Sequence, residues 1–182
     1  MGFLIFLAIV AAIIVIVVLV RRSRPSFEKA EKHFGRGYAH YQAKDYDLAI
    51  EEFTQAIQMW PNYVDAYFSR SCAYSQKGDM DQAIADADQM VRLAPKTSIG
   101  FRAEMYEKKG DYDKAIADRN EEVELAEDED DSKKASAYYN RGNAYSAKGD
   151  IKNAIADYEK AVSLEPNHLG AQNSLEEARK KL

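Results

Sequence analysis

One short phrase returns four times along the chain, and it constrains the fold more than any other feature. Each copy joins an aspartate, usually preceded by glycine, to an Ala-Ile pair, and the copies cover residues 44–50, 78–84, 110–116 and 149–155. The alanines of successive copies stand 34, 32 and 39 residues apart. A period near 34 residues with a turn signal inside each unit predicts a stacked array of α-helical hairpins.

A separate segment precedes the repeats. Residues 3–20 form an apolar run of 18 residues without a charge, a proline or a glycine. As an α-helix this run would be about 27 Å long, close to the roughly 30 Å of bilayer hydrocarbon. A cleaved signal peptide has basic residues before its apolar run, whereas here only Met1 and Gly2 precede it and arginines follow. We therefore expect residues 1–22 to form a retained transmembrane anchor helix that contacts the lipid bilayer.

Three arginines follow the apolar run, at Arg21, Arg22 and Arg24. Basic residues close to a membrane span resist translocation, so the amino terminus is expected outside and the rest of the chain in the cytoplasm. Residues 23–27 are predicted to be a basic juxtamembrane linker. The predicted localisation is thus that of a single-pass membrane protein.

The rest of the chain is acidic. Residues 25–182 hold 22 basic and 30 acidic side chains, a formal charge of −8. This charge argues against nonspecific nucleic-acid binding, which depends on neutralising phosphates, and predicts repulsion from anionic lipid except at the arginines. The single cysteine, Cys72, excludes an internal disulfide and fits a reducing compartment.

Four repeat units and a terminal helix account for the chain after the linker. We place the repeats within residues 28–166, at about 28–61, 62–95, 96–127 and 133–166, and a capping helix at 167–182. The first, second and fourth of these repeats contain aromatic residues, small residues, alanines and a proline in a similar order. In the last repeat they are Tyr138, Gly142, Tyr145, Ala154, Tyr158, Ala161 and Pro166; in the second they are Tyr67, Ser71, Tyr74, Ala83, Ala87 and Pro95; in the first they are Gly37, Ala49, Phe53, Ala56 and Pro61.

This pattern resembles the tetratricopeptide repeat (TPR) family over nearly everything after the anchor. The resemblance implies an all-α fold, an α-solenoid of about four helical hairpins with a C-terminal capping helix, preceded here by one transmembrane helix. Small residues, at Gly37, Ser71, Ala103 and Gly142, are expected where the two helices of a hairpin meet. Large side chains fill the remaining space between turns.

An arginine precedes each of those small residues, and an acid follows it 16 positions later. The four pairs are Arg36 with Glu52, Arg70 with Asp86, Arg102 with Asp118 and Arg141 with Asp157. Because the spacing recurs four times, we interpret it as a structural charge pair between the helices of a repeat or between neighbouring repeats. An arginine ladder that contacts a ligand is the alternative.

The third repeat departs from the pattern. Its first helix is expected to be short or to start abruptly, with Thr97 or Ser98 as its cap, and Gly100 should weaken it. In its second helix, Arg119 and Glu122 stand where the first and fourth repeats have an aromatic residue and an alanine. The acidic run at 127–132 follows, so the junction with the fourth repeat should be the loosest in the array. We interpret the run as a solvated loop, with a partner-binding acidic patch as the alternative.

No catalytic or cofactor motif accompanies the repeats. The histidines have no partners at ligand spacing, there is no glycine-rich phosphate loop, and no metal site, cofactor or small-molecule substrate is predicted. TPR arrays generally bind a peptide or protein segment on the concave surface, lined by the first helix of each hairpin. Carried over, that role falls on Phe34, Tyr38, Tyr41, Phe68, Cys72, Gln76, Glu104, Glu107, Tyr139, Asn140 and Asn143. The alternative for Phe34 and Phe68 is that they pack between repeats.

The leading hypothesis is therefore a membrane-tethered scaffold or adaptor, not an enzyme, that binds a protein or peptide on the cytoplasmic side. A protein import or translocation receptor uses the same layout. A third alternative is an assembly factor of a membrane complex, in which the array self-associates as a homo-oligomer or the anchor joins other helices. If the topology is reversed, such an assembly factor would lie in a periplasm.

Overall fold

The computed structural model describes residues 26–181, and these residues are all-helical with connecting turns. The chain divides into two compact units between Lys77 and Gly78. The predicted anchor at 1–22 lies outside the described residues. Between residues 26 and 181, no helix is both long enough and apolar enough to cross a bilayer.

Within residues 26–77, the described part of the first unit, the chain forms three helices. Helix α1 covers residues 26–42, α2 runs over Tyr46–Met59 and α3 over Val64–Lys77. Helices α2 and α3 pack against each other, and Phe53 is completely buried in α2. A cluster of small buried residues, Ala30, Ala56 and Ala66, lets the three helices approach closely.

The second unit contains six helices within the described residues, each packed against the next along the chain. They are α4 Met80–Leu93, α5 Pro95–Lys109, α6 Tyr112–Ala126, α7 Asp131–Lys148, α8 Ile151–Leu164 and α9 Leu169–Arg179. Alanines again dominate the buried faces, and α9 covers α8 through Ala171 and Ala178. The sequence expectation of helical hairpins is confirmed.

The repeated phrase forms the turn inside each hairpin. Gly110 takes a left-handed φ of 82°, its N–H donates to the carbonyl of Glu107, and the N–H of Asp111 donates to the carbonyl of Tyr106. These bonds satisfy carbonyls that the helix end leaves without a partner. Asp111 also caps the next helix, because its side chain accepts a hydrogen bond from the N–H of Lys114. Lys44 adopts the same left-handed region at φ 64° without being glycine.

Small residues occur where the helices of a hairpin come closest, as predicted. A Cβ atom added to Gly37 would lie 2.7 Å from the Phe53 ring, and one added to Gly142 would lie 2.6 Å from the Tyr158 ring. Real Cβ atoms essentially never come this close to a neighbour. The aromatic ring of the second helix therefore occupies the space that a side chain on the first helix would need.

Three details differ from the sequence expectations. Helix α5 is not short: it begins at Pro95, runs for 15 residues, and is capped by neither Thr97 nor Ser98. Proline suits a first helical position because its φ is fixed and that position needs no N–H donor. Helix α7 begins at Asp131 instead of 133, since Asp130 caps it by accepting from the N–H of Lys133 at 2.9 Å.

The third difference concerns the capping helix. The spacing of Leu169, Ala171 and Leu175 predicts a common apolar face, but Leu169 is 70% exposed. Ala171 and Ala178 are buried in its place, and Leu175 packs beside Ala178. Leu169 is the first residue of α9, so its side chain projects past the end of the helix contact.

Candidate partner-binding surface

The predicted binding residues of the first unit fall into exposed and packed groups. Tyr38 on α1 and Phe68 on α3 are 51% and 44% exposed, and Gln76 is also exposed. Cys72 is half-buried, and so is Tyr41, whose ring lies 5.6 Å from the Tyr46 ring. Tyr38 and Phe68 are thus the large apolar side chains of this set that solvent reaches most.

Phe34 belongs to the packing of the first unit. Its ring centroid lies 5.6 Å from that of Phe53 and 5.1 Å from that of Tyr63. Tilted aromatic pairs at this separation stabilise a core. The structure therefore places Phe34 between helices, where the side chain joins α1, α2 and the start of α3.

Most of the predicted binding residues of the second unit pack against, hydrogen-bond with or pair with neighbouring side chains. Tyr139 packs its ring 6.0 Å from Tyr158 and 4.8 Å from His168. The hydroxyl of Tyr158 donates to Oδ1 of Asn143 at 2.9 Å. Glu104 is exposed and pairs with Lys108 on the same helix at 2.7 Å. Tyr139 and Asn143 therefore contribute to the packing of α7 against α8.

The arginine–acid spacing corresponds to ion pairs between the two helices of a repeat. Arg102 donates to both oxygens of Asp118 at 2.8 Å, and Arg141 donates to both oxygens of Asp157 at 2.8 and 2.7 Å. The hydrogen bonds that these guanidinium groups donate to Asp118 and Asp157 raise the pKa of both arginines despite partial burial. Such bidentate pairs fix geometry as well as charge.

In the first repeat the pair includes a histidine. Nε of Arg36 donates to Oε2 of Glu52 at 3.1 Å, and Nδ1 of His33 lies 2.7 Å from the same oxygen. Burial opposes the charge of Glu52, but the contacts with His33 and Arg36 outweigh it and lower the pKa of the carboxyl group.

The remaining predicted pair is Arg70 with Asp86, whose members belong to different units. This pairing stays a prediction. Within the first unit, Nη1 of Arg70 donates to the hydroxyl of Thr54 at 2.9 Å. The contact is again between residues 16 positions apart, on the second helix of one repeat and the first helix of the next.

The third repeat has an ionic network where the first and fourth repeats have aromatic packing. Arg119 is only 7% exposed, and it donates to Oε1 of Glu107 at 2.9 Å and to Oε2 of Glu122 at 2.7 Å. Asn140 on α7 donates to the other oxygen of Glu122 at 3.4 Å. Glu107 and Asn140, predicted as binding residues, therefore take part in this network.

A cavity of about 520 Å³ opens beside this network, at the junction predicted to be the loosest. Its lining comes from the start of α5, the end of α6 and the start of α7, and includes Glu122, Leu125 and Ala137. The residues of the acidic run 127–132 are all exposed; residues 127–130 form the expected loop, whereas Asp131 and Ser132 are already the first residues of α7. Lys133 closes one side by pairing with Glu129 at 2.7 Å.

A second set of recurrent charge pairs was not found by sequence reasoning. Lysines before the turn glycine reach the second aspartate of the preceding phrase, and the pairs are Lys77 with Asp47, Lys109 with Asp81, and Lys148 with Asp113. The signal was present, because a lysine precedes the glycine in three copies and an aspartate stands two residues after the first in three copies. These pairs are exposed, and the hydrogen bond that Lys148 donates to Asp113 raises the pKa of Lys148.

Metal-ligating side chains do not cluster in the described part of the chain: residues 26–181 contain no group of three His, Cys, Asp or Glu that could hold an ion. The surface instead offers two exposed aromatic side chains, Tyr38 and Phe68, on the first helices of two hairpins. Such an arrangement can hold apolar side chains of another protein.

Solved structures with the same fold are numerous. A crystal structure of MamA is 22% identical, with a TM-score of 0.67 over 84% of this chain and 82% of that one. MamA from Desulfovibrio magneticus RS-1 is 20% identical, with a TM-score of 0.67 over 84% and 85%. PilF of Pseudomonas aeruginosa is 13% identical, with a TM-score of 0.66 over 87% and 71%. At these identities the likeness establishes the fold alone. Comparison with curated protein sequences gave no significant match.

Two family models match the sequence, and both are described as tetratricopeptide repeat. One covers residues 21–97 and the other residues 135–168. Together they span more than half of the chain, and their repeats coincide with the helical hairpins described above. The chain belongs to the tetratricopeptide repeat family.

Proposed function

We propose that this chain is a scaffold whose first unit binds a peptide or protein segment on α1 and α3, the first helices of the first two repeats. The observation that carries the proposal is the pair of exposed aromatic side chains, Tyr38 on α1 and Phe68 on α3. Exposed large apolar side chains are costly for a monomer, and aromatic residues dominate the binding energy of many interfaces. A TPR fold supports this reading because the family commonly binds protein or peptide partners.

The two units offer different chemistry at corresponding positions. Four residues after Phe34, Phe68, Gly100 and Tyr139 stand Tyr38, Cys72, Glu104 and Asn143, respectively. The first unit thus has a phenol and a thiol at these positions, whereas the second unit has the carboxylate of Glu104, paired with Lys108, and the amide of Asn143, which accepts from Tyr158. We expect the first unit, taken by itself, to bind an apolar side chain of the partner.

Photo-crosslinking tests this assignment. A photoreactive phenylalanine analogue placed at Tyr38 or Phe68 in the full chain should give discrete protein adducts in cells. Leu48 on α2 provides the matched control, because it is 47% exposed and equally apolar but lies on a second helix. Adducts that form equally from position 48, or from position 48 alone, would refute the assignment to the first helices.

We further propose that residues 3–20 tether the scaffold to a membrane with the repeats on the cytoplasmic side. The support is the length and composition of the apolar run and the arginines that follow it. In a protease-protection assay on sealed inside-out vesicles, which expose the cytoplasmic face, we expect the protease to digest the repeats. Digestion only from the opposite side would favour the envelope-assembly alternative. An import receptor and an adaptor share this topology, and the identity of the crosslinked partner distinguishes them.

A further inference from the structure

An aromatic cluster lies at the point where the described chain begins. Phe27, in the first turn of α1, places its ring 5.4 Å from Trp60 and 5.6 Å from Tyr63. Trp60 directly follows α2, and Tyr63 directly precedes α3. The start of α1, the end of α2 and the start of α3 therefore meet in one group of three rings, hereafter the Phe27 cluster.

The Phe27 cluster remains partly accessible. Phe27 is 39% exposed, and Trp60 and Tyr63 are only half-buried. The turn that joins Trp60 to Tyr63 consists of Pro61 and Asn62, both exposed. The packing of the unit thus covers one side of the rings and leaves the other side to solvent or to a partner.

The sequence before the cluster indicates what that partner is. Only six residues separate Val20, the end of the apolar run, from Phe27, and three of them are arginines. At 3.6 Å per residue at most, these six residues keep Phe27 within roughly 25 Å of the apolar run. Arginines at this position attract anionic headgroups.

The side chains of the cluster suit the headgroup region of a bilayer. Tryptophan and tyrosine are enriched there because each combines an apolar ring with a polar group that remains hydrated. The indole of Trp60 and the phenol of Tyr63 meet that description, and Phe27 adds apolar area beside them.

We propose that the Phe27 cluster contacts the headgroup region of the membrane that holds residues 3–20, so that the first repeat rests on the bilayer surface. This inference rests on the proposed membrane tether and goes beyond it. The tether alone requires a connection to the bilayer, whereas the cluster adds a specific contact made by the folded repeat. It also predicts a fixed orientation of the first unit relative to the membrane.

The only tryptophan of the chain, Trp60, is a built-in reporter for this contact. The full chain is reconstituted in vesicles of phosphatidylcholine and phosphatidylglycerol whose acyl chains carry bromine either close to the headgroup or close to the chain end. We expect a loss of Trp60 fluorescence that is larger with the shallow bromines. Phe27→Gln should reduce this loss, whereas Leu48→Gln, at another exposed apolar position of the unit, should leave it unchanged.

Flotation of the same vesicles separates the two proposals. If the chain floats with the vesicles but neither set of bromines quenches Trp60, the tether stands and the surface contact is overturned. Stronger quenching by the deep bromines would also overturn a headgroup position. A chain that fails to float would refute the tether and with it the contact.

Discussion

Gly100 on α5 stands opposite Arg119 and Glu122 on α6, and a Cβ atom at Gly100 would lie 2.9 Å from Oε1 of Glu122. The corresponding positions hold Phe34 with Phe53 in the first repeat and Tyr139 with Tyr158 in the fourth, and both of those are ring pairs. The third repeat has therefore exchanged aromatic packing for an ionic network. The absence of a side chain at Gly100 makes room for that network.

This exchange makes Arg119 a sensitive position. Arg119→Met should lower the free energy of unfolding by roughly 3 kcal/mol, because it leaves Glu107 and Glu122 without their shared cation in a partly buried site. The urea midpoint followed by circular dichroism measures the change. The matched variant that also carries Glu107→Gln and Glu122→Gln should recover part of the loss. An unchanged midpoint for Arg119→Met would show that the network contributes nothing to stability.

Two glycines of α1 give a controlled test of close helix packing. Gly37→Ala should destabilise the chain by about 1–3 kcal/mol, because the added methyl group would lie 2.7 Å from the Phe53 ring. At Gly35 no atom lies within 4 Å of an added Cβ. Gly35→Ala should therefore stabilise the helix by up to about 1 kcal/mol. Thermal unfolding of both variants decides the matter, and equal shifts in the same direction would contradict the packing argument.

The two sets of charge pairs should differ in importance. Asp157→Asn disrupts a bidentate pair with Arg141 in which the aspartate side chain is 8% exposed, and we expect a cost of about 1–3 kcal/mol. Asp113→Asn makes the same chemical change in an exposed pair with Lys148 and should have no measurable effect on stability. Denaturant titrations at low and high salt compare them. A larger loss of stability for Asp113→Asn than for Asp157→Asn would contradict the prediction that the buried pair contributes more.

The acid side of the stability profile should depend on Glu52. Its pKa is lower in the folded chain than in the unfolded chain, so its contribution is complete above its ordinary pKa of 4.5 and disappears as the pH falls through the folded value. Glu52→Gln should therefore flatten the dependence of the melting temperature on pH below about pH 5. Glu51→Gln, at an exposed neighbouring position, is the control. A slope unchanged by Glu52→Gln would exclude this linkage.

Much of the fold was accessible from the sequence because the relevant signals recur. The turn phrase, with its left-handed glycines, predicted the hairpins of the third and fourth repeats, and the spacing of 16 residues predicted the pairs of Arg36, Arg102 and Arg141. A signal that recurs at fixed spacing reports geometry shared by all repeats. A departure from the pattern in a single repeat does not recur, so its structure cannot be inferred in this way.

The features that could not be predicted from the sequence were those in which a residue has more than one possible role. Helical periodicity assigned Phe34 and Tyr139 to the first helices, but it could not show whether their rings face solvent or the neighbouring helix. The start of α5 depended on whether Pro95 ends one helix or begins the next, and both are common roles for proline. The exposure of Leu169 depended on the length of the surface that α9 covers.

The exposed lysine–aspartate pairs have a directional consequence. The second and third repeats each carry both partners, a lysine before the turn glycine and an aspartate after it. The first phrase instead has Ala43 where the others have lysine, and the last has Lys152 where the others have aspartate. Either interior repeat could therefore be duplicated with both of its contacts retained, whereas exchanging the first and last repeats would place Lys152 where an acid is required. The pairs therefore make the four repeats non-equivalent and favour one order of the repeats along the chain.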